Sequence, residues 1–176
     1  MSTQTWNIDP SHSGVNFSVR HMMIAKVRGS FGAFSGAITV DDDDASKSLV
    51  KAEIDVASIN THEPKRDGHL KSPDFFDVEK FPKLTFVSKR VEGKGDSFKL
   101  VGDLTLHGVT KEVTLDVSRE GGGKDPWGNQ RLAFTARGSL NRTDYGLKWN
   151  QALEAGGVLV GEKVDIDLEV SAVLAK

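Results

Sequence analysis

The side chains with chemical potential are the histidines, a run of aspartates and the aromatics, and each points to a different use. His62-Glu63 looks like half of a zinc-protease helix, in which a second histidine follows on the same helical face. The next histidine, His69, is too far along, and the two could share a face only if a helix began before Pro64. Asp41-Asp42-Asp43-Asp44 lacks the glycine and the closing glutamate of a calcium loop. Four carboxylates at a hairpin tip read instead as a solvated turn that discourages edge pairing. Glu53 and Asp55 stand on the same face of a strand, as solvated carboxylates do, with nothing to mark them as an acid–base pair. Ser, His and Asp are plentiful, but no spacing singles out a triad, and no G-x-S-x-G, P-loop or G-x-G-x-x-G motif occurs. Cys is 0, which excludes a thiolate nucleophile, disulfides and thiolate metal sites. The residues therefore predict neither an enzyme active site nor a bound metal or cofactor.

The aromatics are more informative. Phe75, Phe76 and Phe81 crowd one connection, with Leu70 just before them, and Tyr145, Leu147 and Trp149 lie in another. The chain has 1 Tyr and 3 Trp, so two of those four residues share one short segment. Met22 and Met23 follow His21 at the end of a strand, and methionine makes an adaptable apolar wall. Two uses fit these side chains: ordinary core packing, or the lining and gating of an apolar pocket. His21 has the parity of Val15, Phe17 and Val19, so an unbroken strand points it inward. There it serves as a satisfied core residue or meets a ligand's polar head.

The elements that must hold these residues are strands. Val15, Phe17 and Val19 alternate with Asn16, Ser18 and Arg20; Val50, Ala52, Ile54 and Val56 with Lys51, Glu53 and Asp55; Val113, Leu115 and Val117 with Thr114, Asp116 and Ser118; Val164, Ile166, Leu168 and Val170 with Asp165, Asp167 and Glu169. A period of two with one apolar face is a half-buried strand. Turns fall at Asp41–Asp44, Gly93-Lys94-Gly95-Asp96, His107-Gly108 and Gly121-Gly122-Gly123. The pattern predicts eight strands, near 13–22, 28–40, 48–60, 83–93, 96–107, 109–120, 130–141 and 158–174, with Trp6 to Ile8 covering one end. Residues 61–82 carry Pro64, Pro73 and Pro82 and a helix-compatible piece from Pro64 to Ser72. Gly29, Gly32, Gly36, Gly102 and Gly138 fall in or beside strands, marking bends or space left open. The whole chain, 1–176, reads as one all-β domain: an eight-stranded antiparallel barrel with short helical connections, the size at which the interior is filled by side chains or holds one small ligand.

Lys plus Arg is 23 and Asp plus Glu is 25, for a formal net charge of -2, so no long-range field favours nucleic acid. Met1 to Trp6 shows neither the basic n-region nor the apolar h-region of a secretory leader. No apolar run approaches the roughly 20 residues of a spanning helix. As written, the sequence predicts a cytoplasmic protein, or a periplasmic one if a leader has been removed.

Four stretches resemble a known family. Trp6-Asn7-Ile8-Asp9-Pro10-Ser11-His12-Ser13 with Val15 to His21, His69-Leu70-Lys71-Ser72-Pro73-Asp74-Phe75-Phe76-Asp77 running to Phe81-Pro82, Gly102-Asp103-Leu104-Thr105-Leu106-His107-Gly108-Val109-Thr110, and Asn141-Arg142-Thr143-Asp144-Tyr145-Gly146-Leu147 are similar, in order, to signatures of the YceI-like family. The resemblance implies a lipocalin-like barrel with an internal apolar tunnel for a polyisoprenoid, an isoprenoid quinone or a fatty amide, no catalytic reaction, and a homodimer. The candidate wall of such a tunnel, from the strand faces and the aromatic connections, is Phe17, Val19, His21, Met23, Phe34, Leu70, Phe75, Phe76, Phe81, Phe86, Leu104, Leu106, Tyr145, Leu147 and Trp149. The alternative is a stress-related enzyme or metal protein built on His21 and its neighbours.

Overall fold

In the computed structural model, which describes residues 3–41, 43–93, 95–154 and 156–176, the alternating segments form eleven strands. They are β1 (Thr3–Ile8), β2 (Gly14–His21), β3 (Ala25–Phe31), β4 (Phe34–Asp41), β5 (Leu49–Asp55), β6 (Ile59–Asn60), β7 (Lys83–Glu92), β8 (Ser97–Leu106), β9 (Val109–Lys124), β10 (Gln130–Asn141) and β11 (Val160–Leu174). Asp42, within the aspartate run, and Lys94, within the predicted Gly93–Asp96 turn, lie outside the described residues.

Three pairs of strands are single barrel staves, each bent once, which reduces eleven strands to the predicted eight. β1 and β2 are joined by a 3-10 turn, Pro10–His12, that Asp9 caps by accepting from the Ser11 N–H. β3 and β4 break at Gly32-Ala33, and β5 and β6 break at the 3-10 turn Val56–Ser58. The strands pair antiparallel in the order β1-β4-β5-β7-β8-β9-β10-β11, and β11 returns to β1 through Trp6 opposite Leu174 and Ile8 opposite Ala172. β11 also pairs with β2 below that point, so one long strand faces both halves of the first stave. Trp6 to Ile8 is thus a closing strand, not an end cover; its few residues carry too little alternation to be read as a strand.

Among the described residues the register slips at three places, one of them between Val160 and Val164 of β11 against β2, and the other two set which way side chains point. Between Ser88 and Arg90 the register of β7 against β8 slips. Inward parity changes there from Leu84 and Phe86 to Val91. The buried Ser88 hydroxyl accepts from the Val50 N–H at 2.7 Å, which occupies a backbone donor beyond the end of the β5–β7 ladder. A second slip occurs between Ala133 and Phe134 against β9. Such bulges bend and twist strands in the way barrel closure requires.

The core is the barrel interior. Phe31, Val56, Ile59, Leu84, Phe86, Leu100, Leu104, Leu106, Leu115, Val117 and Ala136 form one buried cluster, and Trp6, Ile38 and Ala172 form a second where β1 closes the sheet. The only α-helix among the described residues is α1 (Pro64–Lys71), with Pro64 in its first turn and the Glu63 side chain accepting from the Lys65 N–H. It and the 142–159 connection lie at one end of the barrel, with the β2–β3 and β8–β9 turns. The 42–48, 93–96 and 125–129 connections lie at the other. At this far end Asp41 is buried, its Oδ1 accepting from the Asp43 and Asp44 N–H groups, so the aspartate run is partly an Asx-type turn rather than four solvated carboxylates.

Candidate functional site

Inward-facing residues from all eight staves surround a cavity of about 460 Å³, within the roughly 300–1,000 Å³ usual for small-molecule sites. Its wall is almost wholly apolar. Val40, Val91, Phe98 and Leu132 line it toward the 93–96 end; Phe17, Phe86, Leu115, Phe134 and Ala136 line its middle; Leu70, Phe75, Phe76, Leu106 and Leu147 line it toward the α1 end. Glycines make two of the ring positions possible. A Cβ on Gly29 would lie 2.4 Å from Phe17 Cζ, and one on Gly102 would lie 2.5 Å from Phe86 Cζ. These strand glycines are beds on which aromatic rings lie across a neighbouring strand, a use that neither bends nor open space describes.

Ten of the fifteen predicted wall residues line the cavity: Phe17, Val19, Phe34, Leu70, Phe75, Phe76, Phe86, Leu104, Leu106 and Leu147. Five do not. His21 and Met23 fall where β2 ends: Met22 and Met23 take positive φ, of 54° and 67°, so strand parity stops at His21 and Met23 turns outward, 53% exposed. Phe81 lies outside the wall, its ring 4.7 Å from that of His107 and against the Gly108 turn. Tyr145 is fully buried, but behind the wall rather than in it, beneath an outer groove formed with Lys111, Val113, Gly138 and Lys163. Burial raises its phenol pKa, with the Asp144 charge adding to the effect. Trp149 backs the wall at the α1 end, packed on Phe75 at 5.4 Å and on His69 at 4.7 Å between ring centroids.

That end is plugged by a built structure. His69 pairs through Nε2 with Asp74 at 2.9 Å and sets its ring edge-on to both Phe75 and Trp149. Beside it lies the only charged side chain buried behind the plug among the described residues, Arg142, which is 4% exposed and lines the cavity. Its guanidinium donates to the carbonyls of Gly161 at 2.8 Å, Leu147 at 2.6 Å, Trp149 at 3.0 Å and Val160 at 3.2 Å, and stands 5.9 Å from the Phe75 ring. Burial pushes its pKa down, opposed by the charge of Glu162. His107 Nδ1 donates to the Tyr145 carbonyl at 3.0 Å and ties the β8–β9 turn to the same connection. Arg142 was visible in the sequence only as one residue of the Asn141–Leu147 stretch, and its four acceptors are backbone groups that no side-chain pattern announces.

The far end is more polar. Ser48, Gly93, Gly95, Asp96 and Arg119 line the cavity there. Among the described residues no group of three His, Asp or Glu side chains is placed to hold a metal ion, and no helix is long and apolar enough to cross a membrane.

A closed eight-stranded antiparallel barrel with an apolar cavity and one plugged end defines the lipocalin-like class of barrels. The chain belongs to the YceI-like family, whose domain matches residues 6–172. A UPF0312 protein of Staphylococcus aureus is 44% identical over 168 residues, 95% of each chain. Among solved structures, the YceI protein of Campylobacter jejuni superposes with a TM-score of 0.75 at 29% identity, over 89% of this chain and 90% of that one. Two more distant structures share the fold: BcnA of Burkholderia cenocepacia, with a TM-score of 0.81 at 22% identity over 93% and 98% of the chains, and a polyisoprenoid-binding domain from Saccharophagus degradans, with a TM-score of 0.69 at 17% identity over 97% and 98%.

Proposed function

We propose that this protein binds a long apolar lipid, of the polyisoprenoid, isoprenoid-quinone or fatty-acyl class, inside the barrel and holds or carries it without chemically changing it. The observation that carries this reading is the cavity itself, about 460 Å³ with a wall of aliphatic and aromatic side chains. The polyisoprenoid-binding domain that shares its fold supports the same ligand class. Energetics permit it. Burying one CH₂ contributes about 0.8 kcal/mol, so fifteen to twenty carbons gross roughly 12–16 kcal/mol. Association and chain ordering cost several kcal/mol of this, leaving roughly micromolar affinity or better. The wall offers few polar contacts, so selection falls on chain shape and length more than on head group.

The test is uptake of a fluorescent prenyl or acyl chain, together with solvent extraction and mass spectrometry of the protein as purified from cells. The expected result is one chain per barrel, and strong loss of uptake in Ala136→Phe, which projects a ring into the middle of the cavity. Failure to recover or take up any such chain would overturn the proposal, as would undiminished uptake by Ala136→Phe.

A further inference from the structure

The β2–β3 turn breaks three local rules at once. His21 to Ile24 is a tight turn, closed by the Ile24 N–H donating to the His21 carbonyl at 3.3 Å. Both of its central residues have positive φ, a conformation that hairpins normally fill with Asn-Gly, yet they are Met22 and Met23. The tip is also apolar and in water. Met22, Met23 and Ile24 are 48%, 53% and 83% exposed, three consecutive large hydrophobic residues where turns are ordinarily polar. Below the tip, Arg20 and Lys26 are register partners, like charges placed directly opposite one another, which destabilises a strand pair. Arg28 is the diagonal neighbour, opposite Ser18, and all three cations are exposed. Among the described residues none of them forms an ion pair. On the adjoining strand Asp165, the register partner of Ser18, is engaged by Lys163.

An apolar tip over an unpaired cationic collar is the arrangement that partitions into the boundary of an anionic bilayer. The hydrophobic side chains enter the acyl layer, and the cations meet lipid phosphates, which remove the Arg20–Lys26 repulsion. We propose that this hairpin docks the protein on anionic membrane surfaces. The tip is joined to the plugged end of the barrel: the Met22 N–H donates to the Leu159 carbonyl at 2.8 Å, Met23 packs on Gly157, and the adjacent Val160 lines the cavity. Docking therefore brings the connection that closes the cavity against the bilayer. The inference goes beyond lipid binding in the barrel, and it can be measured with the barrel empty.

The chain has no cysteine, so Ile24→Cys accepts a single environment-sensitive fluorophore. Vesicles of equal parts phosphatidylglycerol and phosphatidylcholine are compared with phosphatidylcholine alone. The expected result is a blue shift and co-sedimentation on the anionic vesicles only, reversed by high salt. In the unlabelled protein, Arg20→Glu/Lys26→Glu and Ile24→Asp should each lower vesicle partitioning by about tenfold or more, a change that two reversed charges at about 1 kcal/mol apiece readily supply. Trp127→Ser, at the opposite end, should leave partitioning unchanged. Equal binding to neutral vesicles, no shift on either kind, or an equal loss in Trp127→Ser would overturn the proposal. So would a blue shift that grows with protein concentration without vesicles, which would mark the tip as a contact between copies of the chain.

Discussion

At the scale of single residues, Arg142 holds the plug in place. Four backbone carbonyls of the 147–161 segment point at one guanidinium, and nothing else charged replaces it. Replacing it by methionine keeps the stem and strands the Leu147, Trp149 and Gly161 carbonyls, at about 1–3 kcal/mol for each that water cannot reach, while the Val160 carbonyl keeps the Asn150 side-chain N–H at 2.7 Å. Arg142→Met should lower stability to urea by about 3 kcal/mol and open the 148–159 segment to limited proteolysis well before the barrel unfolds. Cleavage confined to global unfolding would show that the segment is held by packing alone. The contrast with His21 and Met23 shows what a sequence conveys at this scale. Period-two parity locates Phe17 and Val19 on the inner wall, but it runs on past the point where backbone dihedrals change sign. At Met22 the strand has become a turn, and only a rule about which residues tolerate positive φ could have ended it, a rule that two methionines violate. Trp149 and Tyr145 are opaque for another reason. Hydrophobicity marks a side chain as buried and does not say whether it faces a cavity or backs the wall around it.

At the scale of elements, the barrel depends on its seam. Arg131 of β10 bonds Asp9, at the bend between β1 and β2, at 3.0 Å and Asp125, beside the 125–129 turn, at 2.8 Å, so one guanidinium joins three elements at the seam. Hydrogen bonds from Ser11, from Arg131 and from His12 hold the Asp9 carboxyl well below the usual carboxylate range; the Arg131 hydrogen bond does the same for Asp125, helped by bonds from Asn129 and Trp127. Each carboxyl thus binds its proton more weakly folded than unfolded. Their contribution is complete above about pH 5, where unfolded aspartates are almost fully ionised, and is lost as pH falls from there through the lower folded values. Removing Arg131 should flatten that loss. Melting temperatures followed between about pH 3 and pH 7 should fall less steeply on the acid side for Arg131→Gln than for the unaltered chain; parallel curves would assign the acid sensitivity to other carboxylates. Most staves were legible as strands because each buries one face and wets the other. β1 was not, since between its terminus and Asp9-Pro10 it offers only Trp6 and Ile8 to the interior. Its identity as a strand comes from partners on both sides, β4 and β11, which a local pattern does not contain.

At the scale of the whole molecule, a barrel that keeps about 460 Å³ open gives up packing that other cores use. That predicts a stability reserve realised only with ligand bound. If the cavity is the lipid site, a prenyl or acyl chain present at about a hundred times its dissociation constant stabilises the folded state by about 2.7 kcal/mol through mass action. For a chain of this size each kcal/mol moves the midpoint by about 2–4 °C, so the melting temperature should rise by about 5–11 °C and continue to rise with ligand concentration. Ala136→Phe separates this from nonspecific effects of lipid. Its ring enters space that is open beside Leu115, Val117 and Leu168, so the ligand-free protein should melt close to the unaltered one or above it, whereas a ring forced into a filled core would cost about 1–3 kcal/mol. The same variant should show no ligand-dependent rise. A ligand-free melt that falls sharply would mean the interior is closed around Ala136. A ligand-dependent rise that survives the substitution would place the lipid elsewhere on the molecule.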